Sequence, residues 1–179
     1  MRKIWYIILS TLFILIFLVC YLWTTGTLKY FNTKPTDLSK ENINNVYLNK
    51  NYNLKVAEEA FGVVTKKVDN SNYTDYEFTS SSTKIATVRV HNNKIIGIFT
   101  QDFDDSLRTE KNITFTSSFE DIVKAYGNNF KKSIYKDEMG SGERYDITFV
   151  DKKNKFNLVF EFTKIDNNDK LNFIQFSKY

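Results

Sequence analysis

The stretch "SSFEDIVKAYGNN" at residues 117–129 is typical of a short capped helix that ends at a glycine. Two capping boxes, in which a hydroxyl and an acid bind free amides of the first turn, fit its start: Ser117 with Glu120, and Ser118 with Asp121. Apolar residues then recur at helical spacing at Phe119, Ile122, Val123 and Tyr126. Gly127 can adopt the left-handed conformation that closes a helix.

An earlier stretch, "YNLKVAEEAFGVV" at residues 52–64, repeats this pattern and has Gly62 as its stop. Strand signals with period-two alternation follow each helix, at residues 75–78, 84–90 and 94–99 in the first half and at 144–150, 156–162 and 170–176 in the second. We therefore predict an α+β fold in which a helix-plus-three-strand unit is duplicated, over about 46–101 and 112–179. The two copies are expected to form a mostly antiparallel sheet with the helices on one face.

Residues 4–23 contain no charge, glycine or proline, which is enough at about 1.5 Å per residue to cross about 30 Å of hydrocarbon. The segment predicts a transmembrane helix and membrane anchor, with a cleaved signal peptide and a buried core helix as alternatives. Arg2 and Lys3 place the tail, residues 1–3, in the cytoplasm. Residues 24–45 then read as a polar stalk, and residues 46–179 as an extracytoplasmic domain on the cell membrane.

Charge gives little support to a nucleic-acid partner. The chain has 25 Lys and Arg against 21 Asp and Glu, and two of these cations, Arg2 and Lys3, lie ahead of the apolar segment. Phosphate binding needs a basic face, and no block of like charge occurs in the remainder. We therefore expect no nucleic-acid partner.

Several motifs in the predicted domain resemble the CAP-associated N-terminal domain of secreted or membrane-anchored bacterial proteins. They are the helix–glycine openings "AEEAFG" and "FEDIVKAYG", the hairpin "ATVRVHNNKIIGIFTQ" at residues 86–101 and the stretch "YDITFVDKKNKFNLVFEF" that closes the second half. The resemblance covers residues 46–176 and implies an extracytoplasmic accessory module. The CAP domain that usually follows, with its histidines and acids, is not in this sequence, so no catalytic residue is carried over.

Residues that could support catalysis or metal binding are few. His91 is the single histidine and lies in a hairpin turn, and Cys20, the single cysteine, lies in the apolar segment, so zinc clusters and a Ser-His-Asp triad lack partners. The acids Asp102, Asp104 and Asp105 lack the glycine and distal Glu of an EF-hand loop. We expect no catalytic residue, no metal and no cofactor.

Aromatic side chains are abundant and most should fill the core. A sheet with helices on only one face can expose some of them to a partner, and tyrosine suits a ring that faces both protein and water. Four tyrosines that flank polar segments are candidates for such a surface: Tyr73, Tyr76, Tyr135 and Tyr145.

These observations favour a membrane-anchored binding or regulatory module of the bacterial cell envelope that acts through a protein or peptide partner and is not an enzyme. One alternative is an envelope hydrolase that uses carboxylates such as Asp102, Glu143 or Asp146. Another is an immunity protein that blocks a toxin.

Overall fold

The structure is a computed structural model that describes the chain apart from residues 1, 25–28, 81–82, 102–105, 137–142 and 166–167. The chain divides into two compact units, Met1–Thr33 together with Tyr179, and Lys34–Lys178. The first unit contains the helix α1 (Arg2–Thr24), whose described apolar side chains are exposed apart from Leu22, which is half-buried. The second unit contains all the strands and the two remaining helices.

The predicted transmembrane helix is wrong. Within the described part of the chain, no helix combines the length and the apolar character needed to cross a membrane. The prediction of a membrane anchor rested on this helix and is corrected with it.

The second unit consists of two consecutive sets of one helix and four strands. The first set is α2 (Leu54–Phe61), β1 (Val63–Asp69), β2 (Thr74–Ser80), β3 (Thr83–His91) and β4 (Lys94–Gln101). The second set is α3 (Phe119–Tyr126), β5 (Lys131–Lys136), β6 (Glu143–Asp151), β7 (Phe156–Ile165) and β8 (Asn168–Lys178).

The eight strands found in the described part of the chain form one antiparallel sheet in the order β1-β2-β3-β4-β8-β7-β6-β5. The last strands of the two halves, β4 and β8, pair at the centre, where Phe99 lies opposite Gln175. The first strand of each half, β1 or β5, lies at an outer edge. The predicted unit of one helix and three strands is therefore wrong, because each half has four strands.

The two strands that the sequence did not predict are the edge strands. Their sequences are "VVTKKVD" in β1 and "KKSIYK" in β5. An edge strand packs weakly on either face, so it needs little apolar alternation, and lysines on an edge discourage pairing with other chains. The same lysines removed the alternation that identified the six inner strands.

Both helices of the second unit pack on one face of the sheet, which we call the packed face. Phe61 of α2 contacts Phe78 of β2, with ring centroids 5.8 Å apart. Tyr126 of α3 lies between Phe149 of β6 and Phe160 of β7, at 5.2 and 5.6 Å. The phenylalanines are almost fully buried, and each stabilises the fold by roughly 2–3 kcal/mol through the area it removes from water.

Residues 34–45 were predicted as part of a stalk, and the structure places them in the second unit. Leu38 and Ile43 are 1% exposed. The amide of Thr36 donates to the Val150 carbonyl at 2.8 Å, and that of Leu38 to Asp151 Oδ2 at 3.0 Å. The few apolar residues of this polar segment are thus buried without any regular periodicity that would reveal them.

Candidate functional site

The sheet face opposite α2 and α3, which we call the open face, carries the candidate site. Successive side chains of a strand point to opposite faces, so residues that alternate with the core lie here. At one end of this face Val150, Asn157 and Ser177 are buried. Its half-exposed part lies on β2, β3, β4 and the adjoining part of β8.

Arg89 is the centre of this half-exposed part. Register places it opposite Asp75 across β2 and β3, and Arg89 Nε and Nη2 donate to Asp75 Oδ1 and Oδ2 at 2.8 and 2.9 Å. The guanidinium carbon lies 4.0 Å from the ring centroid of Tyr73 and 4.9 Å from that of Phe99. A bidentate carboxylate and two aromatic rings therefore fix this cation, and we call these four residues the Arg89 patch.

Arg89 stays protonated at every physiological pH. The hydrogen bond with Asp75 raises the pKa of Arg89. Side-chain exposure is 32% for Arg89 and 16% for Asp75, so the pair is partly shielded from solvent and still reachable from it. A shielded pair of this kind is fixed in advance of binding, which lowers the entropy cost of using it in an interface.

A cavity of about 270 Å³ lies beside the patch. Its lining is mixed in character: Asp75, Glu77, Ala86, Thr87, Arg89, Phe99, Gln101 and Phe173. Gly97 lies opposite Arg89 in β4, and a Cβ there would come within 2.8 Å of the Phe99 ring. The glycine therefore allows Phe99 to lie flat enough to reach the guanidinium.

The second half places carboxylates on the same face. Asp146 lies opposite Glu161 across β6 and β7, and Arg144 Nη1 lies 3.9 Å from Glu161 Oε1. Burial raises the pKa of Tyr135, and its hydrogen bond to Asp146 adds to this. Asp146 Oδ1 is buried and has no hydrogen-bond partner among the described residues.

The four predicted tyrosines divide between the two faces. Tyr73 and Tyr135 lie on the open face, as described above. Tyr76 stacks on Tyr52 of the packed face with centroids 4.4 Å apart. Tyr145 is buried, stacks on Phe162 at 5.0 Å and donates its hydroxyl to Asp169 Oδ2 at 2.7 Å. The structure therefore does not bring these tyrosines together as one surface.

Sequence reasoning missed Asp75, Arg89 and Phe99. A signal was available, because each alternates with apolar neighbours that face the core, such as Phe78, Val88 and Ile98. Alternation along a strand identifies the side chains of the open face. The criterion used for the tyrosines, that they flank polar segments, does not.

The carboxylates suggested for a hydrolase do not converge. Glu143 and Asp146 lie on one strand at positions of opposite parity, so their side chains leave opposite faces of the sheet. Asp102, with Asp104 and Asp105, lies outside the described residues. His91 contacts Asn72 O and Asn92 Nδ2 at its turn. Where residues are described, no three His, Cys, Asp or Glu side chains are grouped to hold a metal.

No protein-family model matches the chain, and no curated protein matches it. Solved structures give distant likenesses. One is a cysteine-rich secretory protein from Staphylococcus aureus, 10% identical with a TM-score of 0.40, where the match covers 74% of this chain and 43% of that one. Another is an extracellular protein containing an SCP domain from Bacillus anthracis, 8% identical with a TM-score of 0.41, covering 73% and 44%. The chain spans less than half of either protein, and scores at this level assign no function.

Proposed function

We propose that the chain is an extracytoplasmic binding module of the bacterial cell envelope that recognises a protein partner through its open face. The observation that carries this proposal is the Arg89 patch, where a cation is fixed between a carboxylate and two rings at a half-exposed position. Arginine and aromatic residues dominate the energetics of protein interfaces. The cavity beside the patch gives a partner side chain a place to insert.

The resemblance to CAP-associated N-terminal domains supports the extracytoplasmic and accessory part of the proposal. It rests on the two helix–glycine openings and the hairpin of residues 86–101. An accessory module needs a recognition surface and no reaction centre, which agrees with the separation of Glu143 from Asp146 on opposite faces.

Photo-crosslinking in cells tests the proposal. A photoreactive amino acid replaces Gln101, which is exposed and lines the cavity, and the control replaces Lys124 on α3, at the packed face. We expect a defined protein adduct from position 101 and none from position 124. Arg89→Ala should abolish the adduct and Arg89→Lys should weaken it, because lysine cannot make the bidentate bond.

The identity of the captured protein separates the two binding hypotheses. A cell-wall enzyme or another envelope protein supports a regulatory module, and a toxin supports an immunity protein. Equal capture from positions 101 and 124, or capture that survives Arg89→Ala in a folded variant, would refute recognition through the open face. The unfolding midpoint of each variant is measured alongside to establish that it is folded.

A further inference from the structure

A polar hollow whose lining shares no residue with the Arg89 patch is a candidate for a second binding site. Its volume is about 490 Å³, within the range of small-ligand sites. It lies between the turn at residues 42–45, the last turn of α2, and the loop at residues 106–112 that connects the two halves of the sheet.

The walls of the hollow are fixed by hydrogen bonds. Asn44 Nδ2 donates to the Ala60 carbonyl at 3.0 Å, and Asn44 Oδ1 accepts from the Arg108 amide at 2.9 Å. The Asn44 amide donates in turn to the Arg108 carbonyl at 3.0 Å, and Ile43 forms a bridge with Thr109. One side chain thus holds α2, the turn and the connecting loop together, so a ligand would meet a preformed site.

Three charged side chains line the hollow: Glu59, Arg108 and Glu110. Glu110 Oε2 accepts a hydrogen bond from Asn42 Nδ2. Arg108 and Glu59 are exposed residues of this lining, and no ion pair within 4.0 Å joins them to each other or to another described side chain. Asn45 and Asn112 belong to the same lining. An amide both donates and accepts, which matches a peptide group.

We infer that this hollow binds a short zwitterionic peptide, with the ligand carboxylate at Arg108, its ammonium at Glu59 and its peptide groups at the asparagine amides. Each end of such a ligand would form a charge-assisted hydrogen bond, the stronger kind. The site is separate from the Arg89 patch, and the inference does not depend on the proposed function.

Calorimetric titration of the whole chain with trialanine tests the inference, with N-acetyl-trialanine and trialanine amide as blocked forms. We expect saturable binding of trialanine, weakened about tenfold by loss of one charged contact, whether by blocking an end or by Arg108→Gln or Glu59→Gln. Lys153→Gln and Glu120→Gln remove equal charges from exposed sites outside the hollow and should leave the affinity unchanged.

The blocked peptides assign each end. Arg108→Gln should weaken N-acetyl-trialanine but leave trialanine amide unaffected, and Glu59→Gln should show the reverse. On binding, the side-chain amide resonances of Asn45 and Asn112 should shift. Three results would overturn the inference: no saturable binding at millimolar trialanine, an affinity indifferent to both blocks, or losses as large in the Lys153 and Glu120 controls.

Discussion

The helices of the two halves end at glycines of the same conformation, but the surroundings of the two glycines differ. Gly62 after α2 has φ 89° and ψ −163°, and Gly127 after α3 has φ 85° and ψ −175°. A Cβ at Gly62 would lie 2.2 Å from the Thr79 carbonyl oxygen of β2, whereas a Cβ at Gly127 would have nothing within 4 Å. The same sequence signal therefore ends the helix in both halves, but only in the first does it also allow close contact between backbone segments.

Replacing each glycine by alanine should give the largest difference in stability between the two halves. Both lie in a backbone region that is nearly restricted to glycine, so Gly127→Ala should cost about 1–3 kcal/mol. Gly62→Ala adds a clash with the β2 backbone that no side-chain movement can relieve, and we expect about 4 kcal/mol or more. Denaturant unfolding monitored by circular dichroism measures both, and equal losses would contradict the comparison.

The residue before each glycine is a second point of difference. It is Phe61 in the first half and Tyr126 in the second. The Tyr126 hydroxyl lies 2.8 Å from both Glu41 Oε2 and Thr109 Oγ1, and Glu41 Oε1 accepts from the amides of Asn42 and Glu110. The second helix is thereby tied to a buried carboxylate that the first helix lacks.

Glu41 should make stability depend on pH. Burial raises its pKa above the usual glutamate value of 4.5 despite the hydrogen bond from Tyr126. The folded state then holds the proton more tightly than the unfolded state, so stability is greatest below pH 4.5 and falls as the pH rises through the raised pKa. Glu41→Gln should remove this decline because the glutamine amide does not titrate. Its oxygen can still accept from both backbone amides, and its NH2 group can donate to the Tyr126 hydroxyl.

Glu41→Ala is the contrasting variant. It leaves the amides of Asn42 and Glu110 without their carboxylate acceptor, and we expect a loss of about 1–3 kcal/mol at every pH. The measurement is the free energy of unfolding between pH 4 and pH 8 for the three proteins. Parallel pH curves for wild type and Glu41→Gln would show that another group is responsible.

The aromatic core is denser in the second half. Phe149 contacts the rings of Tyr126, Phe130 and Phe160, whereas Phe78, the counterpart in β2, contacts Phe61. Aromatic pairs contribute beyond the area they bury, so Phe149→Leu should cost about 2 kcal/mol and Phe78→Leu about 1 kcal/mol. Thermal and denaturant unfolding give the difference, and an equal or reversed order would argue against ring contacts as its source.

The local elements of this fold could be predicted from the sequence. Caps, helical stripes and the period-two alternation of the inner strands depend on neighbours a few residues apart, and the predicted positions of α2, α3 and the six inner strands agree with the structure. The edge strands β1 and β5 were missed because their lysines conceal the alternation. The apolar segment was judged by its length and by its lack of charge, glycine and proline, and the predicted span was wrong.

The candidate sites depend on contacts between distant residues and could not be read in the same way. Asp75 meets Arg89 only through the register of β2 and β3. Asn44 meets Arg108 across 64 residues of chain. Register and loop packing are set by the whole fold, so sequence supplies the parity of a side chain but not its partner.

The helix starts offer the smallest test of the comparison. Ser118 Oγ accepts from the Asp121 amide at 3.1 Å, and Asp121 Oδ2 accepts from the Ser118 amide at 3.0 Å, which completes a capping box. Asn53 makes one longer bond, from the Val56 amide at 3.4 Å. Ser118→Ala should therefore cost about 1 kcal/mol and Asn53→Ala about 0.5 kcal/mol.

Unfolding of the two single variants and the double variant measures these caps. Their costs should add, because α2 and α3 lie in separate halves and the two caps share no partner. A double variant that loses much more than the sum would mean that the helices stabilise each other. Independent losses would instead show that the two halves share one sheet while each starts its own helix.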